Sequence, residues 1–302
     1  MMAVVFEAPT MKSTLNTRKS VFFLLIILGL LTDLLIKLYL TSILLCVEEY
    51  KVEAAVDNRI RIVHLSDLHN SEFGRNNVRL VRKVQEQHPD LILMSGDMLN
   101  RDEENIDVVT ALIRRLADVA PVFYGYGNHE KAWERRFGYD LKAVLEKNGA
   151  NVVDNSFYDV SVQGNEIRIG GYMGYYQAAL MDTKDPAEQE KAFKFAKDFQ
   201  NTDRVKLLIN HIPTQWVDWD YVDKFPVDLV FSGHYHGGVM RIPFLDQGLY
   251  APYVGWFPPF TKGVYAGEKA ICVLSAGLGS EYHIPRLNNP PEIVAVELVP
   301  KG

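Results

Sequence analysis

From residue 59 onward, short apolar runs alternate with amphipathic stretches, and polar loops separate them. RIRIVHLS (59–66), DLILMSG (90–96), PVFYGYG (121–127), VKLLINH (205–211) and VDLVFSGH (227–234) are near-continuous apolar runs of strand length. Strands buried on both faces have that pattern. Between them, Val78, Val81 and Val84 recur at helical spacing over 77–87, and Pro89 marks the end. Ile106, Val109, Ile113 and Leu116 line one face of a helix over 103–118. Residues 141–147 continue as helix into Asn148-Gly149, a C-cap signal. FYDVSV (157–162) and EIRIGGY (166–172) read as strands about a Gly-Asn turn. A charged helix follows over 185–200, with further strands near 271–275 and 292–298. The alternation predicts an α/β domain, and the strand-rich later half predicts a second sheet packed on the first.

The first 57 residues break this rhythm. Residues 21–47, VFFLLIILGLLTDLLIKLYLTSILLCV, are apolar except chiefly for Asp33 and Lys37. About 20 apolar residues suffice to cross a bilayer. Asp33 and Lys37 are four apart, on one helical face, and can pair. A signal peptide is the competing reading, but no small-x-small cleavage site follows and the apolar character continues past Leu31. An uncleaved anchor is therefore expected over 21–47, after a cytoplasmic tail (1–20) and before a connector (48–57) and a catalytic domain (58–302). Lys12, Arg18 and Lys19 precede the anchor and Glu48 and Glu49 follow it, which places the domain outside the cytoplasm, on a single-pass membrane protein.

Composition narrows the field. The 302 residues allow one large or two ordinary domains, and 48% hydrophobic content is globular. A net charge of −6 removes the overall basic field of a nucleic-acid binder, so no nucleic acid is expected. Two cysteines, Cys46 and Cys272, cannot make a disulfide framework or a cysteine zinc site and read as buried hydrophobes.

The chemistry lies where the apolar runs end. They deliver Asp67-Leu68-His69, Gly96-Asp97, Gly127-Asn128-His129-Glu130, His211 and Gly233-His234-Tyr235-His236. The carboxyl ends of parallel strands share one edge, where ligands bind, so these groups should meet. They are hard oxygen donors and imidazoles without thiolates, which suits Mn²⁺, Fe, Zn²⁺ or Mg²⁺. Asp67 and His69 are two apart, so on an extended chain they point the same way and can share an ion; His234 and His236 have the same spacing. Asp97 has two oxygens and can bridge. A single Asp-x-His or Gly-Asp means little, but the ordered set, each at a strand end, is costly to bury without cations.

DLH, GD, GNHE, the lone His211 and GHYH resemble the five blocks of the calcineurin-like metallophosphoesterases, over roughly residues 59–298. SDLHNSEFG and the later GGVMRIPF, GLYAP, FTKGVY and PEIVAVEL resemble the bacterial membrane-anchored branch, whose members carry an N-terminal hydrophobic helix. The resemblance implies a four-layer α/β/β/α sandwich with two divalent metals between the sheets. By its motifs, Asp67, His69 and His236 hold the first metal, Asn128, His211 and His234 the second, and Asp97 bridges. His129 resembles the non-ligand histidine that touches phosphate and protonates the leaving oxygen. The implied reaction is hydrolysis of a phosphodiester, pyrophosphate or phosphomonoester by a hydroxide the two metals activate. Asn100 departs from the family, which often has Asp there; Arg101 follows and has either a phosphate-binding or a surface role.

Other positions have competing readings. His64 reads as a core histidine, His88 as solvated, and His283, after an apolar strand, as a candidate for lining the pocket. Trp216 and Trp219 read as packing residues. YVGWFPPF (253–260) reads either as a packed cover on the second sheet or as an apolar wall for a lipid-linked substrate or the membrane interface. Related membrane-associated enzymes cleave UDP-2,3-diacylglucosamine, a pyrophosphate alternative at odds with an extracytoplasmic domain. A non-catalytic scaffold that kept the fold is the other class; it predicts missing ligands, yet every metal position is filled. No obligate protein partner is expected.

Overall fold

The computed structural model describes residues 11–173, 186–245, 247–281 and 284–302. A helix, α1 (Met11–Ile43), leads directly into β1 (Cys46–Ala54) and β2 (Ile60–Leu65). Then follow α2 (Val78–Gln85), β3 (Leu91–Met94), α3 (Asp107–Ala117), β4 (Val122–Gly125), α4 (Asn128–Phe137), α5 (Leu141–Lys147) and β5 (Ala150–Val153). The second half has β6 (Ser156–Val162), β7 (Asn165–Gly171), α6 (Pro186–Gln200), β8 (Val205–Ile209), α7 (Thr214–Val217) and β9 (Leu229–Ser232). It closes with β10 (Gly263–Ala266), β11 (Ile271–Leu274) and β12 (Glu292–Pro300).

Two six-stranded mixed sheets form, in the orders β1-β12-β2-β3-β4-β5 and β10-β11-β9-β8-β7-β6. Their inner faces meet in one apolar core, where Ile62, Leu93 and Phe123 of the first sheet pack with Ile169, Leu207 and Phe231 of the second. The outer face of the first sheet is covered by α2, α3 and α5 through Val84, Ile113 and Leu145. The outer face of the second is covered by Phe195 and Phe199 of α6 and Trp216 of α7. Four layers, α/β/β/α, result. Each sheet is buried on both faces, which is why its central strands read as continuous apolar runs.

Three boundaries differ from expectation. Residues 48–57 are not a connector: β1 occupies Cys46–Ala54 and pairs in parallel with β12 along its whole length. Tyr50, Val52 and Ala54 face the inter-sheet core while Glu49, Lys51 and Glu53 face out. That alternation was present in the sequence, but its partner lies some 240 residues away, and the polar half of an edge strand resembles a linker. The expected tail is helical from Met11, and the expected anchor ends as helix at Ile43, with Cys46 and Val47 already in the sheet. Glu48 and Glu49 pair with Lys262 and Arg61, so they belong to the sheet edge and not to a free flank. Within α1, residues Lys19–Tyr39 are long and apolar enough to cross a membrane, a test that a signal sequence also passes. Asp33 and Lys37 form the expected ion pair, at 2.7 Å.

Candidate metal centre

Strands β2, β3 and β4 run parallel in one sheet, and β8 and β9 in the other. Their carboxyl ends bring Asp67, His69, Asp97, Asn128, His129, His211, His234 and His236 to one buried place between the sheets. The backbone is cross-braced there: Asp67 N–H donates to Gly96 O, and His234 N–H donates to the Asp67 carboxylate at 3.0 Å.

The local chain is not extended. Asp67, His69, Asp97, His234 and His236 all have left-handed backbone, with φ between 47° and 69°. Each costs on the order of 1–3 kcal/mol and persists only where the surroundings impose it. The two-residue spacing therefore does not work as a strand would have it. The kinked GHYH turn sends His236 toward Asp67 and His69 but His234 toward Asp97 and His211. Two glycines are needed for close approach. A Cβ at Gly127 would collide with the Asp97 carboxylate, and one at Gly233 with Ser66 and Asp67.

The donors form clusters. Ligand atoms of Asp67, His69 and His236 lie within 4.8 Å of one another, as do those of Asp97, His211 and His234, and those of His69, Asp97 and His129. His69 Nε2, Asn128 Oδ1, His234 Nε2 and His236 Nδ1 are buried without a hydrogen-bond partner, and His211 Nε2 faces only the Asp97 carboxylate. An orphaned buried acceptor costs about 1–3 kcal/mol, so four in one place fit cations. Burial pushes His69 down to about 4 and His234 to about 3, and lowers His236, which leaves them neutral and able to ligate. His211 is different. Burial lowers it, but the Asp97 carboxylate wins and raises it to about 9. Burial likewise opposes ionisation of Asp97, yet His211 holds its carboxyl well below the ordinary range. Nδ1 of His211 faces Ser95 O at 2.8 Å, which takes the proton of a neutral ring. Nε2, 3.0 Å from Asp97 Oδ2, then presents a lone pair to a carboxylate unless a proton or a metal stands between them.

Supporting groups fix this arrangement. Asn100 Oδ1 accepts from His69 Nδ1 at 3.1 Å, which aims Nε2 into the site, so the departure from Asp at this position keeps the supporting bond. Glu130 is the last residue of GNHE. Its buried carboxylate accepts N–H from Asp97, Met98 and Gly127 and O–H from Tyr124, at 2.7–2.9 Å, and ties two ligand loops together. Its signal was a carboxylate three residues after Gly127, the spacing of a helix capping box. Glu281 had no signal at all. It pairs with Arg101, and its Oε1 lies 3.4 Å from His129 Nε2.

His129 differs from the orphaned imidazoles. Arg101 N–H lies 3.2 Å from its Nδ1, and Arg101 Nη2 lies 3.0 Å from its Nε2. A neutral ring cannot accept both. The Glu281 carboxylate beside Nε2 favours the proton there, which makes His129 a donor toward the cleft. Burial lowers its pKa, against the pull of Asp97.

The site opens into a cleft of about 390 Å³. Asp97, Asn128, His129, His234 and His236 form its floor, and Val239, Met240, Tyr250, Tyr253 and Trp256 its apolar wall. Tyr253 stacks on His234 with ring centroids 5.3 Å apart. The packed-cover reading of 253–260 thus holds for Val254 and Phe260, which pack on the second sheet, and fails for Tyr253 and Trp256. His64 is a core histidine bonded to Ser95 Oγ at 2.7 Å; His88 is exposed; Trp216 is buried and Trp219 is not. Cys272 is a buried hydrophobe. His283 lies outside the described residues.

A profile of the calcineurin-like phosphoesterase family matches residues 60–238. The chain belongs to that family. It is 27% identical over 243 residues to Phosphodiesterase YaeI of Escherichia coli strain K12, covering 79% of this chain and 82% of that protein. It is 25% identical over 249 residues to the uncharacterized metallophosphoesterase YkuE of Bacillus subtilis strain 168, covering 79% and 78%. Among solved structures it resembles a 5′-nucleotidase precursor from Thermus thermophilus, with TM-score 0.49 and 15% identity, over 80% of this chain and 54% of that one. This calcineurin-like phosphoesterase is a metal-dependent hydrolase of phosphate esters.

Proposed function

We propose that the enzyme hydrolyses phosphodiesters at a two-metal centre. Asp67, His69 and His236 would hold one divalent ion and Asn128, His211 and His234 the other, with Asp97 available to both clusters. The observation that carries this is the set of four buried, unpartnered ligand atoms on His69, Asn128, His234 and His236, beside a His211 Nε2 that faces only the Asp97 carboxylate; His129 is not among them. When bound, the two ions supply charge to the phosphoryl oxygens and lower the pKa of the attacking water. Asn100 and Ser95 hold the His69 and His211 rings in the tautomer that ligates. His129, with its proton on Nε2, donates to the departing oxygen. Diesters are favoured because the apolar wall of Val239, Met240, Tyr250, Tyr253 and Trp256 gives the second organic substituent a surface to lie on. The similar YaeI is named a phosphodiesterase.

The purified full chain, in detergent, should cleave bis(p-nitrophenyl) phosphate faster than p-nitrophenyl phosphate. Chelator should abolish this, and one of Mn²⁺, Zn²⁺, Fe²⁺ or Mg²⁺ should restore it. Faster monoester turnover would reject the diester assignment.

In a second reading the substrate is a lipid-linked pyrophosphate of the UDP-2,3-diacylglucosamine type; the exposed aromatic rim of the cleft favours it. As to placement, α1 is an uncleaved single span with the catalytic domain outside the cytoplasm, as Lys12, Arg18 and Lys19 before the apolar stretch suggest. Protease added to intact spheroplasts should digest the domain; protection would reverse the topology and suit the pyrophosphate reading.

A further inference from the structure

Outside α1 and among the described residues, the four most exposed large apolar side chains, with Phe257, lie on two consecutive loops, while others such as Tyr139 and Phe193 stand apart. Phe244 is fully exposed, and Leu245, Tyr253, Trp256 and Phe257 are 68%, 72%, 68% and 58% exposed. Such a cluster marks a contact surface. What it contacts follows from where α1 enters the domain. Only residues 44 and 45 separate α1 from β1, and β1 is fixed along β12. The sheet therefore starts on the order of 15 Å beyond Tyr39, the end of the membrane-length stretch. That is less than the roughly 30 Å diameter of a small domain, so one face of the domain must lie against the bilayer.

Two grooves identify that face. Lys37 of α1 lines one of them with Arg241 and Phe244. Leu38 and Thr41 line another with Ile284, and Ile284 also lines the catalytic cleft. The end of the span, the exposed aromatic loops and the mouth of the cleft are thus neighbours. Tryptophan and tyrosine partition to the headgroup level, and shallow apolar insertion is the usual mode of peripheral contact.

We propose that the loops of residues 242–245 and 253–257 dock into the surface of the bilayer that holds α1, so that the cleft opens onto lipid headgroups and takes phosphate esters carried by amphiphiles. The proposal rests on the reading of α1 as an uncleaved span, and for the substrate on the phosphoesterase site described above. It differs from a flexible tether, in which the cleft faces water.

The full chain is reconstituted into protein-free phosphatidylcholine–phosphatidylglycerol vesicles whose acyl chains carry bromine near the headgroup. Bromine should quench the tryptophan emission of the wild type clearly more than that of Trp256→Phe, since Trp133 and Trp216 are buried and the exposed Trp219 is present in both proteins. Equal quenching of the two overturns the proposal, and it is also the outcome if the loops instead meet a protein partner. In the same vesicles a Phe244→Ser, Phe257→Ser double variant is compared with wild type; neither residue lines the cleft. It should keep its turnover of a water-soluble diester and lose at least about tenfold on a phosphate ester embedded in the vesicle, since a single aromatic contact already accounts for that much. Equal rates on both substrates relative to wild type, or equal losses on both, overturn it. Quenching needs no catalysis, so an inactive wild type counts against the diester assignment alone.

Discussion

The floor and the wall of the cleft are built on opposite principles. The floor, together with the ligand groups beneath it, is polar, buried and strained: eight side chains at the ends of five strands, five of them with left-handed backbone. The wall is apolar and largely exposed, and it hangs on two-residue ladders such as Tyr250–Ala251 against Gly255–Trp256. The floor sits in a low-dielectric place where a displaced ligand leaves a buried charge unpaired. The wall can change shape at the cost of a few contacts. The difference teaches that the chemical groups are fixed by the sheets, while the surface offered to substrate is carried by a loop that the second sheet holds only through Ala251, Val254 and Phe260.

Substitutions can break that division, and the largest effect belongs to the floor. Asp97→Asn keeps the shape but removes the charge between the two clusters. Bound metal, measured by elemental analysis, should fall by at least one ion per chain and turnover by about a thousandfold or more. Retention of both would show that the clusters are not a metal centre. His129→Ala should keep its metal and lose about 10²–10⁴-fold in kcat on an ester with a poor leaving group, and far less on a nitrophenyl ester. Loss of metal as well would make His129 a ligand, consistent with its place in a cluster with His69 and Asp97.

Glu130→Gln tests the brace beneath the floor. An amide cannot accept at both ends, so it turns a donor toward buried N–H or O–H groups. We expect about 1–3 kcal/mol of lost stability per unsatisfied group, read as a lower midpoint in denaturant, with weakened metal binding. An unchanged midpoint would mean that the four bonds are dispensable. The wall should respond more gently. Tyr253→Ala should raise KM for diesters several-fold while kcat on small esters holds, since one stacked ring is worth about 0.5–1.5 kcal/mol. A collapse of kcat would place Tyr253 with the floor.

The smallest effect is a proton. Metal-free His211 is raised to about 9, so at neutral pH it is protonated in the folded chain. Burial leaves His69 and His234 neutral, and the Asp97 carboxyl is already ionised. Metal uptake at neutral pH should therefore release about one proton, fading as pH rises through 9. Calorimetry in buffers of different ionisation enthalpy reads this directly; no dependence on buffer would put the proton elsewhere.

Most of the floor was legible because it is written twice, once in the apolar runs that become central strands and once in the polar residues that end them. Asp67, Asp97 and His211 stood out because such groups are costly at the end of a buried strand without a purpose. Glu130 was visible but mute, since a carboxylate after a glycine can cap a helix anywhere. Glu281 comes from an irregular loop and reaches His129 only through folding. The strand β1 was missed for a related reason: its alternation is short, its exposed half is charged, and its partner lies at the other end of the chain.

The sequence alone determined the strand-helix alternation, the apolar N-terminal stretch and the identity of the groups at the strand ends, because periodicity and residue chemistry are local. Tertiary structure decided which imidazole faces which carboxylate, that His234 and His236 part company, and that the aromatic segment lines the cleft beside the end of α1. Those outcomes depend on left-handed kinks and on contacts between distant segments, whose energies exist only once the two sheets have packed.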